Sequence, residues 1–473
     1  MAVMPVRRLL LNMAWPMMLS MLIQALYNLV DSMFVAQLSS DGFVALALVY
    51  PIQTLMIAVC VGTGVGFNAL LARRLGEGRP DEANRVVANG YFVYLVCWVV
   101  FLVLGVGLAP VFMGLFAPGQ PQVIDYGIQY LSIVTGASVG ICMQFAGERT
   151  LQATGNTVGP MVIQGIGAVI NLILDPLLIF GIGPFPRMEV AGAALATVLG
   201  QVVGMVVGLC MVRRSSIVRL SFRGFRPDSA IILTMFRVGV PAILVQALAT
   251  VMNLGMNLIL PLFTASGVFI LGAYFKLQSF LFMPVNGLNN ALIPIVSFNY
   301  GARQRSRITG VIHFALVLSA AIMAVGTVVF LAIPGPLLRL FDADAAVLAE
   351  GISALRLIAL SFVCAGVSVI LCAALQALGA ANSSLVVSLL RQLVLLFPLA
   401  LLLGALRPSL VWLAFLLSEA PPASPPCCST AAPHGAGWPV WRNKYPLPTG
   451  PEATASGPVF SFKRDFDPTL LTV

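Results

Sequence analysis

Apolar runs that follow one another along the chain are the feature that most constrains its fold. Each run is about as long as the roughly 20 residues that an α-helix needs to cross a bilayer. Only 9% of the 473 residues are charged and 59% are hydrophobic, whereas soluble domains carry about 25% charged residues. We therefore predict an all-α polytopic membrane protein. The predicted spans lie at residues 11–36, 44–72, 85–110, 123–146, 160–182, 190–212, 237–262, 268–296, 308–333, 347–373 and 384–405.

Arginine is distributed unevenly among the loops that join these runs. Arginines precede the first run and cluster in every second loop, and five of them lie in the central loop at 213–226. The alternate loops offer only Arg187, Arg339 and Arg407. Because cytoplasmic loops carry the excess of basic residues, the N-terminus and the even-numbered loops are predicted to be cytoplasmic. The net charge of +9 follows from this orientation, and we expect no nucleic-acid partner.

The two halves of the sequence match each other at a constant offset of 225 residues, which we call the repeat offset. The first run could instead be a signal peptide. It has a counterpart in mid-chain, however, which favours a membrane-spanning helix. We predict a duplication of six helices, in which both halves share one orientation and face each other across a central cleft. The pairs that define the repeat offset are Pro16 and Pro241, Asn28 and Asn253, Gln53 and Gln278, Gly62 and Gly287, Gly76 and Gly301, and Phe116 and Phe341.

The repeat divides the chain into predicted domains. Residues 1–212 form an N-terminal six-helix lobe, and residues 213–236 form a basic cytoplasmic linker. Residues 237–420 form the C-terminal lobe, and residues 421–473 form an anomalous proline-rich tail. We expect two lobes that rock against each other, as transporters with parallel repeats do.

Two aspartates interrupt the apolar runs of the first half. Asp31 ends a polar stripe with Gln24 and Asn28, and Asp175 ends another with Gln164 and Asn171. Each stripe has helical spacing, and both acids lie roughly 10 Å inside the outer boundary of their spans. Acids inside a membrane are functional-site candidates, and two at one depth can share a proton or chelate a small cation. The alternative is that each carboxylate only hydrogen-bonds a neighbouring helix.

The second half keeps the polar stripes but replaces the acids. Met256 stands at the repeat offset from Asp31, and Lys276 is the one lysine before Lys444. Lys276 is predicted to contact substrate or an acid across the cleft, with snorkelling towards water as the alternative. Methionine and phenylalanine suit varied apolar ligands. The predicted substrate cleft comprises Asn28, Gln53, Asn253, Asn257, Lys276, Gln278 and Met283.

Motifs for other function classes are missing from the sequence. The cysteines within the spans are dispersed singly, and there is no GxxxxGK[ST] loop for ATP. A membrane-embedded enzyme would need a nucleophile, a base and oxyanion donors at one level. The two histidines, His313 and His434, are not placed for that. We therefore expect no enzyme activity, no metal and no cofactor, and we expect H⁺ or Na⁺ as the source of energy.

Several segments resemble multidrug and toxic compound extrusion (MATE) transporters. They are LYNLVDSMFVAQL from residue 26, NLILDPLLIFGIG from 171, VAGAALATVLGQ from 190, and the run from Phe275 to Gln304. The resemblance covers residues 10 to about 420 and is closest to the DinF-like branch. It implies a twelve-helix fold of two six-helix lobes. It also implies a monomeric multidrug efflux antiporter of the bacterial inner membrane, surrounded by lipid, which exports amphipathic, often cationic, drug-like compounds.

The resemblance assigns roles to individual residues. It implies that Asp31, Asn171, Asp175 and Thr197 couple transport to the ion, and that the first helix bends at Pro16. The second half lacks the acids that one branch uses for sodium, which favours protons and coupling in the N-terminal lobe. The runner-up is a flippase of lipid-linked precursors from the same superfamily, which tends to line its cleft with several arginines.

The twelfth span begins near Pro408 and loses its apolar character after Ala420. Thirteen residues reach only about 20 Å as a helix, short of the roughly 30 Å of hydrocarbon. We predict a shift of reading frame near codon 420, with residues 421–473 disordered and without function. Translation of the DNA in the other two frames tests this, because one of them should supply about ten more apolar residues and a short basic end. If neither frame does so, the tail is genuine.

Overall fold

The computed structural model describes residues 1, 3–36, 40–182, 184–341 and 344–419. The side chains of residues 27–29, 31–33, 35, 36, 40, 345 and 346 lie outside this description as well, and so does the predicted tail. Every regular element among the described residues is a helix. The α-helices are α1 (Val6–Ala36), α2 (Ser40–Gly76), α3 (Pro80–Phe116), α4 (Pro121–Gly136), α5 (Val139–Ala153), α6 (Val158–Phe180), α7 (Glu189–Arg213), α8 (Ser229–Ile259), α9 (Gly267–Gly301), α10 (Arg305–Ala332), α11 (Pro334–Arg339), α12 (Ala345–Ala359), α13 (Phe362–Ala377), α14 (Ala381–Leu389), α15 (Leu396–Leu406) and α16 (Leu413–Glu419).

Within the described part of the chain, nine helices are long and apolar enough to cross a membrane. Two bent pairs, α4 with α5 and α12 with α13, raise the number to eleven if each pair counts as one span. A shorter apolar helix at Pro408–Glu419 begins where the twelfth span was predicted. The prediction of an all-α polytopic membrane protein is thus confirmed.

Two of the predicted spans are each divided into two helices by a bend, which was not predicted from the sequence. The predicted run at 123–146 divides into α4 and α5 with a bend of 40°, and the run at 347–373 divides into α12 and α13 with a bend of 44°. A serine marks each break. Ser138 Oγ donates to Thr135 O, and Ser361 Oγ donates to Ile358 O, both at 2.7 Å. Such hydroxyl bonds to carbonyls of the preceding turn compete with the helical backbone bonds and bend helices.

The described helices enclose two main hydrophobic cores. One core is formed by α2 to α7, together with Met235 at the start of α8. The other is formed by α8 to α16 and also takes in one face of α1, including Leu10 and Met17, and two residues of α2, Val65 and Ala69. We call α1 to α7 the N-terminal lobe and α8 to α16 the C-terminal lobe, while the predicted domain boundaries stay a prediction.

The segment between α7 and α8 lies against α3. The Arg219 N–H donates to Asn84 Oδ1 at 2.7 Å, and the Asp228 N–H donates to Asn89 Oδ1 at 2.9 Å. Asp228 then caps α8, because its Oδ1 accepts the Ala230 N–H at 2.9 Å. The predicted linker is therefore attached to the N-terminal lobe along part of its length.

The two lobes meet along a seam that repeats the internal symmetry. Gly62 on α2 packs against the backbone of Ile243 on α8, and Gly287 on α9 packs against the backbone of Met18 on α1. Gly287 stands at the repeat offset from Gly62, and Ile243 stands at the same offset from Met18. The two contacts are therefore related by the repeat, in the way that a two-fold axis relates the contacts of a symmetric dimer.

A second pair of contacts follows the same rule nearer the arginine-rich loops. Gly76, the last residue of α2, packs against Phe298 O, and Gly301, the last residue of α9, packs against Arg73 O. The repeat offset again separates Phe298 from Arg73 and Gly301 from Gly76. The seam thus lies in the half of the bundle that carries the basic loops, which we call the basic end.

The seam predicts opposite effects for alanine at glycines inside and outside it. A Cβ atom at Gly62 or Gly287 would overlap backbone atoms of the other lobe, whereas at Gly114 and Gly272 it would meet nothing within 4 Å. Overpacking costs roughly 1–3 kcal/mol, while alanine at an open helical glycine stabilises by about 0.5–1 kcal/mol. In thermal unfolding in detergent at a fixed heating rate, G62A and G287A should lower the midpoint. G114A and G272A should keep or raise it. Equal midpoints for all four variants would contradict the seam.

Candidate ion-coupling site and cleft

Asp175 lies at the centre of a buried group of polar side chains between α6 and α7. Asp175 is 0% exposed, Asn171 2% and Thr197 7%. With the Asn171 amide oriented by its partners, Nδ2 donates to Asp175 Oδ2 at 2.8 Å and Oδ1 accepts the Thr197 N–H at 3.0 Å. Thr197 Oγ1 donates to Ala193 O at 3.0 Å. The structure thus brings together three of the four residues predicted for ion coupling.

This arrangement follows from local sequence. Asn171 and Asp175 are one helical turn apart on α6, so their side chains lie on one face. Opposite them, α7 approaches closely because Gly200 packs against Gly167 O of α6. The tight crossing of two small residues brings Thr197 within reach of the Asn171 amide.

The fourth predicted residue, Asp31, lies on α1, and its side chain is outside the described residues. Two contacts nevertheless define how α1 runs beside α6. Ser20 Oγ donates to Gln164 Oε1, and the Phe34 and Phe180 rings pack edge to face at 6.4 Å. The later residue of α1 meets the later residue of α6, so the two helices are parallel. This register places the backbone of residue 31 level with residues 175–177, in agreement with the prediction that the two aspartates lie at one depth.

Pro16, the predicted hinge, is buried in α1, which continues through it from Val6 to Ala36. A proline in a helix leaves the carbonyl four residues earlier without its N–H partner. In α1 that carbonyl belongs to Asn12. The structure therefore shows α1 as one continuous helix through the predicted hinge, and the bending stays a prediction.

Some of the predicted cleft residues lie on the helix faces that form the seam. Lys276 and Met283 precede Gly287 by eleven and four residues on α9, so they lie near the face that meets α1. On α8, Gly239 packs against the backbone of Gly62 and Thr63, so it lies in the seam with Ile243. Asn253 and Asn257 follow Gly239 and Ile243 by fourteen residues, or almost four turns. Asn257 Nδ2 donates to Asn253 Oδ1 at 2.9 Å. These four residues lie beyond the seam, away from the basic end.

The other predicted cleft residues are placed differently. Gln53 and Gln278 each precede a seam glycine by nine residues, two and a half turns, and so lie on the opposite faces of α2 and α9. Gln53 Nε2 donates to Tyr130 Oη of α4 at 3.0 Å, inside the N-terminal lobe. The side chain of Asn28 is outside the described residues. The structure therefore does not gather the whole predicted cleft on one surface.

Lys276 is exposed, and its Nζ lies 5.9 Å from the centroid of the Phe341 ring. A cation over an aromatic face is attracted by the ring quadrupole. Lysine and phenylalanine thus offer a positive charge beside a flat apolar surface, on the side of the seam that faces away from the basic loops.

One buried acid was not predicted from the sequence. Glu148 on α5 is 1% exposed. Its Oε1 accepts from Gln144 Nε2 at 2.9 Å, and its Oε2 accepts from Gln164 Nε2 at 3.0 Å. The predicted span ended at residue 146 because the next residues are polar, but α5 continues to Ala153. Gln144 and Glu148 at i and i+4 were the available signal.

A buried arginine of the predicted span at 384–405 contacts an acid of the last described helix. Arg391 lies in a π-helical turn at Leu390–Val394, and its Nη1 contacts both oxygens of Glu419 at 2.8 Å. Glu419 ends α16, so the pair joins the last two described spans of the C-terminal lobe. Removing one partner of such a buried pair costs about 3–5 kcal/mol, because it leaves the other charge uncompensated.

Comparison with known proteins agrees with this architecture. The MatE family model matches the chain twice, over residues 16–177 and 241–402. The second match begins and ends at the repeat offset from the first, so the family model and the internal repeat divide the chain in the same way.

Three similar proteins extend the comparison. An FAD transporter of Shewanella oneidensis is 28% identical over 403 residues, covering 84% of this chain and 88% of the relative. The multidrug export protein MepA of Staphylococcus haemolyticus is 23% identical over 414 residues, covering 87% and 90%. A solved structure described as the outward-facing conformation of a multidrug resistance MATE family transporter of the MOP superfamily superposes with a TM-score of 0.82 at 23% identity, covering 88% and 92%. The double match, the repeat and the helical fold together show that this chain belongs to the MatE family of membrane transporters.

Proposed function

We propose that the protein is a multidrug efflux antiporter that exports amphipathic, often cationic compounds in exchange for protons by alternating access of its two lobes. It would act as a monomer in the bacterial inner membrane with its basic end in the cytoplasm, and it would need no cofactor. The observation that carries this proposal is the buried Asp175 carboxylate, held by Asn171 and Thr197 in one lobe of a two-lobe bundle.

Proton binding at Asp175 has a definite consequence for its neighbours. The ionised carboxylate accepts the Asn171 N–H at 2.8 Å. A protonated carboxyl has an O–H of its own to donate. If the proton is bound at Oδ2, two donors face each other and the Asn171 amide has to turn, which also breaks its bond to the Thr197 N–H. Protonation would thus alter the contact of α6 with α7, and α1 can respond by bending near Pro16.

The same geometry favours protons over sodium. A hard cation such as Na⁺ prefers several oxygen ligands. The Asn171 amide directs its nitrogen at Asp175 and uses its oxygen for the Thr197 N–H. A sodium site would therefore require the amide to reverse and to give up the backbone bond, whereas a proton needs only one carboxylate oxygen.

The faces beyond the seam fit apolar, partly polar substrates. Asn253 and Asn257 provide amide groups, Met283 a flexible apolar surface, and Lys276 a positive charge beside Phe341. The seam closes the bundle at the basic end, so substrate would be released at the opposite end, as in an outward-facing state. We do not propose the flippase alternative, because the described residues placed on these faces are amides, a methionine and one lysine instead of several arginines.

A flavin nucleotide is a second candidate substrate. The relative from Shewanella oneidensis named as an FAD transporter has 28% identity, against 23% for the MepA relative. FAD combines a flat aromatic ring with negative phosphates, and Lys276 with Phe341 offers complementary chemistry. FAD is negatively charged and the drugs are cationic. A substitution that removes a positive charge from the substrate face should therefore affect export of the two differently.

Substitution of the aspartates tests the coupling. D175N and D31N should lower ethidium export from proteoliposomes driven by a pH gradient by roughly tenfold or more, because an amide binds no coupling proton. The matched control is D125N, since Asp125 is an exposed acid on α4 whose carboxylate, among the described residues, accepts a hydrogen bond only from Gln129. A sodium gradient alone should drive little export in any of these proteins. Wild-type rates in both aspartate variants would refute this mechanism, and conversion of a substrate without a gradient would indicate an enzyme instead.

Substitution of Lys276 tests the substrate face. K276A should reduce FAD export roughly tenfold and leave ethidium export nearly unchanged, because it removes a cation from an exposed face and no acid. K276R, which keeps the charge, serves as the matched control. The number of protons exchanged per substrate should stay as in the wild type. Normal export of both substrates with an altered proton stoichiometry would contradict this role.

A further inference from the structure

Glu148 belongs to a hydrogen-bonded chain that is separate from the Asp175 site. Its Oε2 accepts from Gln164 on α6, and Gln164 Oε1 accepts from Ser20 Oγ on α1. Gln164 precedes Asp175 by eleven residues, or roughly 16 Å along a helix. Ser20 is buried and lies one turn after Pro16. The chain therefore joins a buried acid to the helix that carries the predicted hinge.

The residue after Glu148 binds across the seam. Arg149 is 5% exposed, and its Nη1 donates to Gln152 Oε1 at 2.9 Å and to Asn290 Oδ1 of α9 at 3.1 Å. Its Nε is buried without a hydrogen-bond partner in the structure. The guanidinium thus lies where the two lobes meet, enclosed by neutral groups.

The carboxylate of Glu148 balances the charge of the Arg149 guanidinium. Among the described residues, the groups placed beside Glu148 and Arg149 by the packed helices are uncharged at neutral pH: Asn68 of α2, Tyr94 of α3, Gln164 of α6 and Asn290 of α9. Both Glu148 oxygens accept amide N–H groups, an arrangement that fits the ionised carboxylate. With Glu148 ionised, the buried pair of neighbours carries no net charge.

We propose that Glu148 is a second proton-binding site, which opens the seam at the basic end when it is protonated. Protonation of a carboxylate oxygen removes the charge that balances Arg149, and it sets an O–H against the amide N–H that the oxygen had accepted. A buried arginine without a counter-charge is strongly unfavourable. States in which the lobes part and Arg149 reaches water are then favoured, and loss of the proton to that water restores the closed seam. This inference rests on the proposed proton-coupled transport.

The direction of this response, in which protonation opens the basic end, agrees with an exchange of protons for substrate. A protein that opens towards the cytoplasm when protonated releases the proton there, and it returns to the closed seam without it. In this scheme Glu148 responds at the basic end, whereas Asp175 responds near the opposite end.

Distance measurements between the lobes test the proposal without substrate or gradient. Spin labels are attached to D81C on α3 and S306C on α10, both exposed, after the eight native cysteines are replaced. D31N and D175N are included, so that the outer acids do not titrate. Between about pH 8 and pH 5, the parent should gain a population with a longer distance. E148Q should show that population at pH 8, enriched at least roughly fivefold over the parent.

Two further variants make the outcome decisive. E148D, which keeps a carboxylate, should retain the pH response, and R149Q should not open on acidification, because protonation of Glu148 then leaves no buried cation without a counter-charge. An E148Q distance distribution and pH response equal to those of the parent would overturn the proposal, and so would a wild-type pH response in R149Q. Failure of gradient-driven ethidium export by the wild type would instead overturn the proposed function, whatever the distances show.

Discussion

The close approach of the two lobes through paired glycines is the constraint on which the rest of this structure depends. Apolar surface gives little drive for helix association in lipid, so helices pack where small residues let their backbones approach. Gly62 and Gly287 meet the backbones of the opposite lobe at positions related by the repeat. The seam also fixes which polar groups are enclosed, because it brings Asn290 to Arg149.

The glycine contacts between the lobes follow the internal repeat, but the aspartates within the predicted spans do not. At the repeat offset from Asp31 stands Met256, which is 0% exposed, and at the same offset from Asp175 stands Ala400, also 0% exposed. The proposed proton sites of the N-terminal lobe therefore have no acid at the matching positions of the other lobe. In the proposed mechanism, binding of the proton changes the internal contacts of one lobe of a symmetric scaffold, and this would couple ion binding to the angle between the lobes.

The sequence predicted what depends on local pattern and missed what depends on packing. The constant offset between matching residues indicated the repeat, and the i, i+4 spacing of Asn171 and Asp175 predicted a pair that the structure joins. Glu148 was missed because hydropathy falls at Gly147, although α5 runs on to Ala153. The identity of Gln53 with Gln278 indicated the repeat, but helix geometry directs both away from the seam. The partner of Arg391 lies 28 residues away on another helix, beyond any periodic signal.

Two acids with arginine neighbours, the buried Glu148 and the largely buried Glu419, differ in a way that bears on the proposed switch. Glu419 touches Arg391 directly through both oxygens at 2.8 Å, so neutralising it would break an ion pair at a cost of about 3–5 kcal/mol. Glu148 and Arg149 are adjacent on α5, and their side chains point about 100° apart around the helix. Each bonds to neutral amides instead of to the other. Neutralising Glu148 therefore disturbs only amide contacts directly, and the arginine that loses its balancing charge lies at an interface that can open. The C-terminal pair is suited to hold its lobe rigid, and the N-terminal one to move.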